Sequence, residues 1–126
     1  NRYGATRIDN QLGLERVPYF AISQVFLMPG LVGLAVLDCF ALGVPLVTCR
    51  HSQHSPEIEY LQPGVNGIVV EESNDPAAYA DAVVSILSDK ELHARLVQGC
   101  QESQKKYSLD EMVRRFVEGI EGALRA

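Results

Sequence analysis

The glycine-rich stretch PGLVG (29–33) is the first of two loops whose residues could do chemistry. Gly30 and Gly33 would let a ligand approach the backbone closely, and the amides of Gly33 and Leu34 would point outward where a helix begins. Amides at a helix N-terminus attract anions, so this loop could cradle a phosphate. Glycine in a strand-to-helix turn is usually only a tight turn, so the residues themselves leave both interpretations open.

Asp38 follows Gly33 by five residues, on a helix whose other residues are apolar (34–42). On the exposed face of that helix its carboxylate would simply be solvated. Close to a phosphate it would instead accept hydrogen bonds from ribose or sugar hydroxyls, because a carboxylate repels the phosphate itself. These two interpretations also stay open.

The second loop, RHSQHS (50–55), would place Arg50, His51 and His54 at the edge of the sheet where a strand ends. Functional groups concentrate on such loops, and substrate contact and plain solvent exposure are both consistent with it. Glu57, just beyond the loop, could cap its own helix or face the site. A metal site is not predicted, because no third ligand stands at a suitable spacing.

Several other kinds of chemistry are not predicted. The sequence has no G-x-S-x-G, no P-loop and no G-x-G-x-x-G, and we identify no residue as catalytic within this chain. A net charge of -5 argues against a nucleic-acid or anionic-membrane surface. No apolar run approaches the roughly 20 residues of a membrane span. We therefore expect no nucleic-acid partner, no transmembrane segment and no cofactor.

Length and composition favour one globular domain over residues 1–126, with 47% apolar and 21% charged residues. The three cysteines have no C-x-x-C spacing, which predicts reduced thiols in a cytosolic protein. Cys39 and Cys49 lie in apolar runs and are predicted as small core residues. Because the chain begins at Asn1 and not at methionine, we expect a fragment of a longer protein.

Three short apolar segments are predicted as the strands that position the two loops. They are VFLM (25–28), VPLVTC (44–49), with Pro45 at the start of its strand, and IVV (68–70). Continuously apolar strands are typical of parallel sheets that are buried on both faces.

Helix signals separate and follow these strands. Gly43 is predicted to end helix 34–42, Asp75 and Asp89 are predicted to cap two later helices, and SLDE (108–111) reads as a capping box before a last helix. Two short helices are predicted at 19–23 and 55–61. The order predicts an α/β fold with a parallel sheet, helices on both faces and a C-terminal helical tail. Part of this tail is expected to pack against something outside the chain.

The segments in this order resemble the C-terminal half of a family 4 (group 1) glycosyltransferase. The resemblance covers about residues 20–124 and is carried by VFLMPGLVGLAVLDCFALGVPLVT, HSPEIEYLQPGVNGIVV and DPAAYADAVVSIL. Such enzymes have the GT-B architecture, in which two Rossmann-like domains enclose the active site and the C-terminal one binds the nucleotide of a sugar donor. The resemblance implies that this chain is that domain, a Rossmann-like half of a GT-B fold without its N-terminal acceptor domain.

The same resemblance implies roles for the candidate residues. Gly33 and Leu34 would receive the donor diphosphate, and Asp38 would hold ribose hydroxyls. The other candidates, expected near the nucleotide or the donor sugar, are Gly30, Arg50, His51, His54 and Glu57. The sequence departs from the family's E-x7-E signature, because Gly30 stands where the first acid would be and Asp38 replaces the second glutamate. Its turn is similar to a shortened P-G-x-x-G-L form.

The implied function is that of a retaining glycosyltransferase in polysaccharide biosynthesis. The parent protein would transfer a sugar from a nucleotide donor to a saccharide or lipid-linked acceptor, in the cytoplasm or peripheral to the membrane. The nucleotide sugar would be its substrate, and this chain alone is expected to be inactive. Two alternatives stay open: a non-catalytic α/β interaction domain, and a GT-B sugar-nucleotide epimerase.

Overall fold

A parallel three-stranded sheet lies at the centre of the computed structural model, which describes residues 4–51 and 53–125. The strands are β1 (Phe26–Leu27), β2 (Leu46–Cys49) and β3 (Gly67–Val70), in the order β1-β2-β3. Leu46 pairs with Phe26 on one side and with Gly67 on the other. All three predicted strands are confirmed, with ends that differ by one or two residues.

The central strand β2 explains why the strand segments are continuously apolar. Each of its residues is buried, whereas β1 and β3 are only partly so. Leu46 packs in one apolar cluster and Val47 in another, on opposite faces of the sheet. Successive side chains of a strand point to opposite faces, so a strand that is covered on both sides has to be apolar throughout.

Helices cover both faces, as predicted. The α-helices are α1 (Val17–Ala21), α2 (Ala35–Leu42), α3 (Pro76–Ser88), α4 (Lys90–Lys106) and α5 (Leu109–Arg125), and two 3-10 segments occupy Gly13–Arg16 and Pro56–Tyr60. On one face, α2 packs in a cluster that includes Phe40 and Leu46. On the other, α3 supplies Ile86 and Tyr79, whose hydroxyl donates to the carbonyl of Val47 at 2.9 Å.

The predicted helix ends are confirmed where a single residue determines them. Asp75 accepts hydrogen bonds from the amides of Ala77 and Ala78, and Asp89 caps α4 in the same way. Gly43 ends α2 with a φ of 67°, in the left-handed region that glycine adopts most easily. Ser108 accepts from the amide of Glu111, as in a capping box.

Two helix predictions differ from the structure. The helix predicted at 19–23 lies at Val17–Ala21, and the helix predicted at 55–61 is a five-residue 3-10 segment, Pro56–Tyr60. That segment stops because the amide of Gln62 donates to the side chain of Asn66 at 2.7 Å instead of continuing the helix. Side-chain acceptors of this kind compete with helical hydrogen bonds.

The turn between this 3-10 segment and β3 packs directly against α4. Asn66 is fully buried, and its amide group donates to the carbonyl of Tyr60 at 3.0 Å and to Ser103 Oγ at 2.8 Å. A Cβ added at Gly99 would lie 1.9 Å from the carbonyl oxygen of Val65. Glycine on α4 therefore lets the helix approach the turn backbone.

The last helix, α5, presents an apolar stripe to solvent. Its large apolar residues are between 46 and 81% exposed, and they are Leu109, Met112, Val113, Phe116, Val117, Ile120 and Leu124. Such an amphipathic helix ordinarily buries this stripe. Within the described ranges, no helix is long and apolar enough to cross a membrane.

Candidate functional site

The glycine loop (29–33) follows β1 at the carboxyl edge of the sheet. Its residue Val32 is hydrogen-bonded to the second loop (50–55). The amide of Val32 donates to Nδ1 of His54 at 3.0 Å, and its carbonyl accepts from the amide of Ser55 at 3.1 Å. Val32 itself is fully buried. The structure therefore brings the two predicted loops together, which is the arrangement expected at the carboxyl ends of parallel strands.

The amides that follow Val32 have no such partners. Neither Gly33 nor Leu34 donates a hydrogen bond to another group among residues 4–51 and 53–125, and α2 has no side-chain cap. The first amides of a helix lack partners within the helix, so they are satisfied by water, side chains or ligands. These two amides are therefore available to an acceptor from outside the fold.

Gly30 and Gly33 are not explained by the fold itself. Neither has a positive φ. A Cβ added at Gly30 would meet nothing within 4 Å, and one added at Gly33 would meet only Ser55 Oγ, at 3.7 Å. This open space contrasts with Gly67, where an added Cβ would lie 2.5 Å from the carbonyl oxygen of Leu46.

Asp38 is neither freely solvated nor part of the glycine loop. It lies in the first turn of α2, and its Oδ2 is 2.9 Å from the Nη1 of Arg16, an ion pair across the surface of the domain. Its side chain is 26% exposed and borders a cavity of about 330 Å³ together with Tyr107 and Ser108. The carboxylate keeps lone pairs for further hydrogen bonds.

Arg50 is paired with a residue that the sequence analysis did not single out. Its guanidinium donates to both carboxylate oxygens of Glu71, from Nη2 to Oε1 at 2.7 Å and from Nε to Oε2. These hydrogen bonds lower the pKa of Glu71 and raise the pKa of Arg50. Both residues directly follow strands β2 and β3, and that shared position is the signal that could have indicated the pair.

A cavity of about 350 Å³ is bordered by Arg50 and by both histidines of the second loop, His51 and His54. Glu59 also borders it, and its apolar lining includes Leu61. His51 is exposed, and its Nδ1 accepts from the amide of Gln53 at 3.1 Å. The two histidine rings lie 5.9 Å apart, centre to centre.

Glu57 does not cap its own helix. No side-chain cap is formed at the start of Pro56–Tyr60, and Oε2 of Glu57 is buried without a hydrogen-bond partner among the described residues. This carboxylate oxygen is therefore available to a hydrogen-bond donor from outside the described residues.

His54 is placed differently from the other candidates, because both of its ring nitrogens are already bound to backbone. Nδ1 accepts from Val32, and Nε2 lies 2.8 Å from the carbonyl oxygen of Cys49. The candidate residues thus form two neighbouring groups joined by His54, while Asp38 borders a separate cavity. Among the residues that the structure describes, no group of three or more potential metal ligands occurs.

Comparison with protein families gives a match over residues 10–89 to the family model described as Glycosyl transferases group 1. The matched region runs from the segment before α1 to the end of α3 and includes both loops. A search of curated proteins found no match.

Proposed function

Because the chain belongs to the group 1 glycosyl transferases, we propose that it is the nucleotide-sugar-binding part of a retaining glycosyltransferase. This proposal rests on the amides of Gly33 and Leu34, which have no hydrogen-bond acceptor among the described residues. The loop that carries them is held by hydrogen bonds at both the amide and the carbonyl of Val32. A donor diphosphate is an anion, and amides at the start of a helix are suited to bind it.

The same amides would also contribute to the reaction. Sugar transfer builds up negative charge on the departing diphosphate, and fixed donors aimed at that charge stabilise the transition state. In this proposal Arg50 adds a positive charge at the same edge by exchanging Glu71 for a phosphate oxygen. Its exposed ion pair is of the kind that contributes little to folding, so this exchange costs little stability.

The carboxylates would read the hydroxyls of the donor. Asp38, oriented by Arg16, accepts from the ribose, and the unpaired oxygen of Glu57 accepts from the donor sugar. His51 borders the cavity of about 350 Å³ at the second loop. The acceptor, a saccharide or a lipid-linked sugar, would be bound by an N-terminal domain outside this chain, in the cytoplasm or at a membrane surface.

A second function is favoured by one specific observation. The apolar stripe of α5 is exposed, as expected for a non-catalytic domain that binds another protein. Such a domain would need neither the free amides of Gly33 and Leu34 nor the contact between the glycine loop and the second loop.

An amide chemical-shift titration with UDP, GDP and ADP at millimolar concentration tests the proposal. We expect saturable shifts at Gly33, Leu34 and Asp38 for one nucleotide, with Gly119 on the exposed face of α5 as the internal reference. If no nucleotide shifts these amides, either in this chain or in a longer parent protein, the proposal fails and the interaction domain is the better account.

A further inference from the structure

We propose that His54 positions the glycine loop for donor binding and does so only as the neutral ring with its proton on Nε2. The ring bridges the amide of Val32 and the carbonyl of Cys49, and so connects the loop to the end of β2. That the ligand of this loop is a nucleotide sugar is taken from the proposed function. The bridge itself can be tested without any ligand.

The two contacts determine the protonation state of the ring. The amide of Val32 can only donate, so the Nδ1 atom 3.0 Å away must offer a lone pair. The carbonyl of Cys49 can only accept, so Nε2, 2.8 Å away, must carry the proton. A neutral imidazole has one donor and one acceptor nitrogen, and this environment selects one of its two tautomers.

Protonation of the ring would break the bridge. An imidazolium carries protons on both nitrogens, so Nδ1–H would face the N–H of Val32, donor against donor. Val32 is fully buried, and its amide would lose its only described partner. The ring would have to move away, and the glycine loop would lose the hydrogen bond that joins Val32 to His54.

The rest of the loop is held more weakly. The Oγ1 of Thr48 is 3.5 Å from the carbonyl oxygen of Gly30, at the limit of a hydrogen bond. The bond from Ser55 to the Val32 carbonyl and the burial of Val32 would remain. Without His54 we therefore expect a folded chain in which the amides of Gly33 and Leu34 are no longer held in place, which weakens a ligand that needs them preorganised.

Charged and titratable groups near the ring come from three elements. Arg50 and His51 lie on the same loop, Cys49 ends β2, and Glu59 lies on the following 3-10 segment. Arg50 is neutralised by Glu71 of the neighbouring strand. The glycine loop itself carries no titratable side chain. Acid is the perturbation that adds a proton to the ring, so it is the one to use.

Two substitutions distinguish the hydrogen bonds of His54 from the space that its ring fills. His54→Phe keeps a ring and removes both nitrogens, whereas His54→Gln offers one acceptor and one donor in place of them. We expect His54→Phe to weaken binding of whichever of UDP, GDP and ADP binds by about tenfold, the loss expected for one hydrogen bond, and His54→Gln to stay within about threefold of wild type. His93→Gln is the control, because this histidine lies on α4, outside both loops, where its ring contacts the carbonyl of Gln24; it should change little.

The pH profile distinguishes the proposed role from a structural one. Wild-type affinity should fall more steeply on acidification than that of His54→Gln, with the same nucleotide in both titrations. Any protonation of the nucleotide itself is then common to the two and cancels in their ratio. Parallel profiles for wild type and His54→Gln would overturn the inference.

The ligand-free test uses long-range ¹H–¹⁵N spectra of the histidine rings and hydrogen exchange of the backbone. The inference requires a protonated Nε2 and a bare Nδ1 for His54, and faster exchange of the Val32 amide in His54→Phe by about tenfold or more. The opposite tautomer, or unchanged exchange at Val32, would refute it. If these results hold and no nucleotide binds, the proposed function fails while the bridge stands.

Discussion

Replacing Gly33 with alanine separates a glycine kept for a ligand from one that the fold requires. The added methyl would meet only Ser55 Oγ, at 3.7 Å, and the φ of Gly33 is not in the left-handed region. Alanine fits such a backbone, and a compatible Gly→Ala change stabilises a protein by about 0.4–1 kcal/mol through the unfolded chain. We therefore expect a stability between unchanged and about 1 kcal/mol higher.

The expected effect on binding is opposite. The methyl of Gly33→Ala would lie next to the amides that we assign to the donor diphosphate and would hinder the approach of that ligand. A hydrogen bond to a charged group contributes about 1.5–3 kcal/mol, so losing one of them weakens nucleotide binding by roughly 10- to 100-fold.

Gly99→Ala is the matched control, because its methyl would lie 1.9 Å from the carbonyl oxygen of Val65, which is backbone and cannot rotate away. This variant should lose about 3 kcal/mol or more. Urea unfolding followed by circular dichroism gives the stabilities, and calorimetric titration with UDP, GDP and ADP gives the affinities. Wild-type affinity in Gly33→Ala would refute the assignment of the amides, and a stability loss above about 2 kcal/mol would show that the fold needs this glycine.

Three further outcomes are expected. Asn66→Ala should lower the free energy of unfolding by about 2–4 kcal/mol in urea, because it removes three hydrogen bonds and leaves part-buried backbone groups of Tyr60 and Gln62 and the buried hydroxyl of Ser103 unpaired; a loss below about 1 kcal/mol would contradict this account. Asp38→Asn should weaken ribonucleotide binding in the same calorimetric titration while changing stability by less than about 1 kcal/mol, since its ion pair with Arg16 is only partly buried; unchanged affinity would remove Asp38 from the site. Hydrogen bonds from Arg114 and Arg115 lower the pKa of Glu111 from 4.5 to about 2. A carboxylate with a lowered pKa stabilises the folded form above its unfolded pKa and loses that contribution as the pH falls toward the folded value. Helix content by circular dichroism should therefore fall between pH 4.5 and about 2 in wild type and less so in Glu111→Gln. Equal acid sensitivity of the two proteins would refute this role of Glu111.

The sheet and the helix ends could be predicted because each depends on a local pattern. A strand such as β2 is buried on both faces, so its burial appears directly as a continuous apolar run. Asp75, Asp89 and Gly43 each act on amides or carbonyls within a few residues of themselves. The position of the two loops at one edge then follows from parallel strands, without any knowledge of side-chain contacts.

The contacts within the site could not be predicted in the same way. Asp38 and Arg16 pair across two elements, and the bond from Val32 to His54 joins residues 22 positions apart. No periodic pattern constrains which partner a long or polar side chain selects. The 3-10 form of Pro56–Tyr60 has the same origin, because it depends on an acceptor from Asn66 beyond the segment. The role of His54 thus emerges only once both of its backbone partners are in place.

The three cysteines are buried, and the thiol of a buried cysteine can report local opening of the folded protein. Cys39 and Cys100 lie in the cluster on one face of the sheet and Cys49 in the cluster on the other. Burial raises the pKa of the Cys100 thiol to about 12 and raises the pKa of Cys39 as well, so neither forms the reactive thiolate while folded. A thiol reagent can then label the fully buried Cys39 and Cys100 only in molecules that have opened around them, whereas Cys49 borders a surface cavity. Equal labelling rates at Cys39 and Cys100 would mean that α2 and α4, which carry them, open together, and unequal rates would show which of these helices opens first.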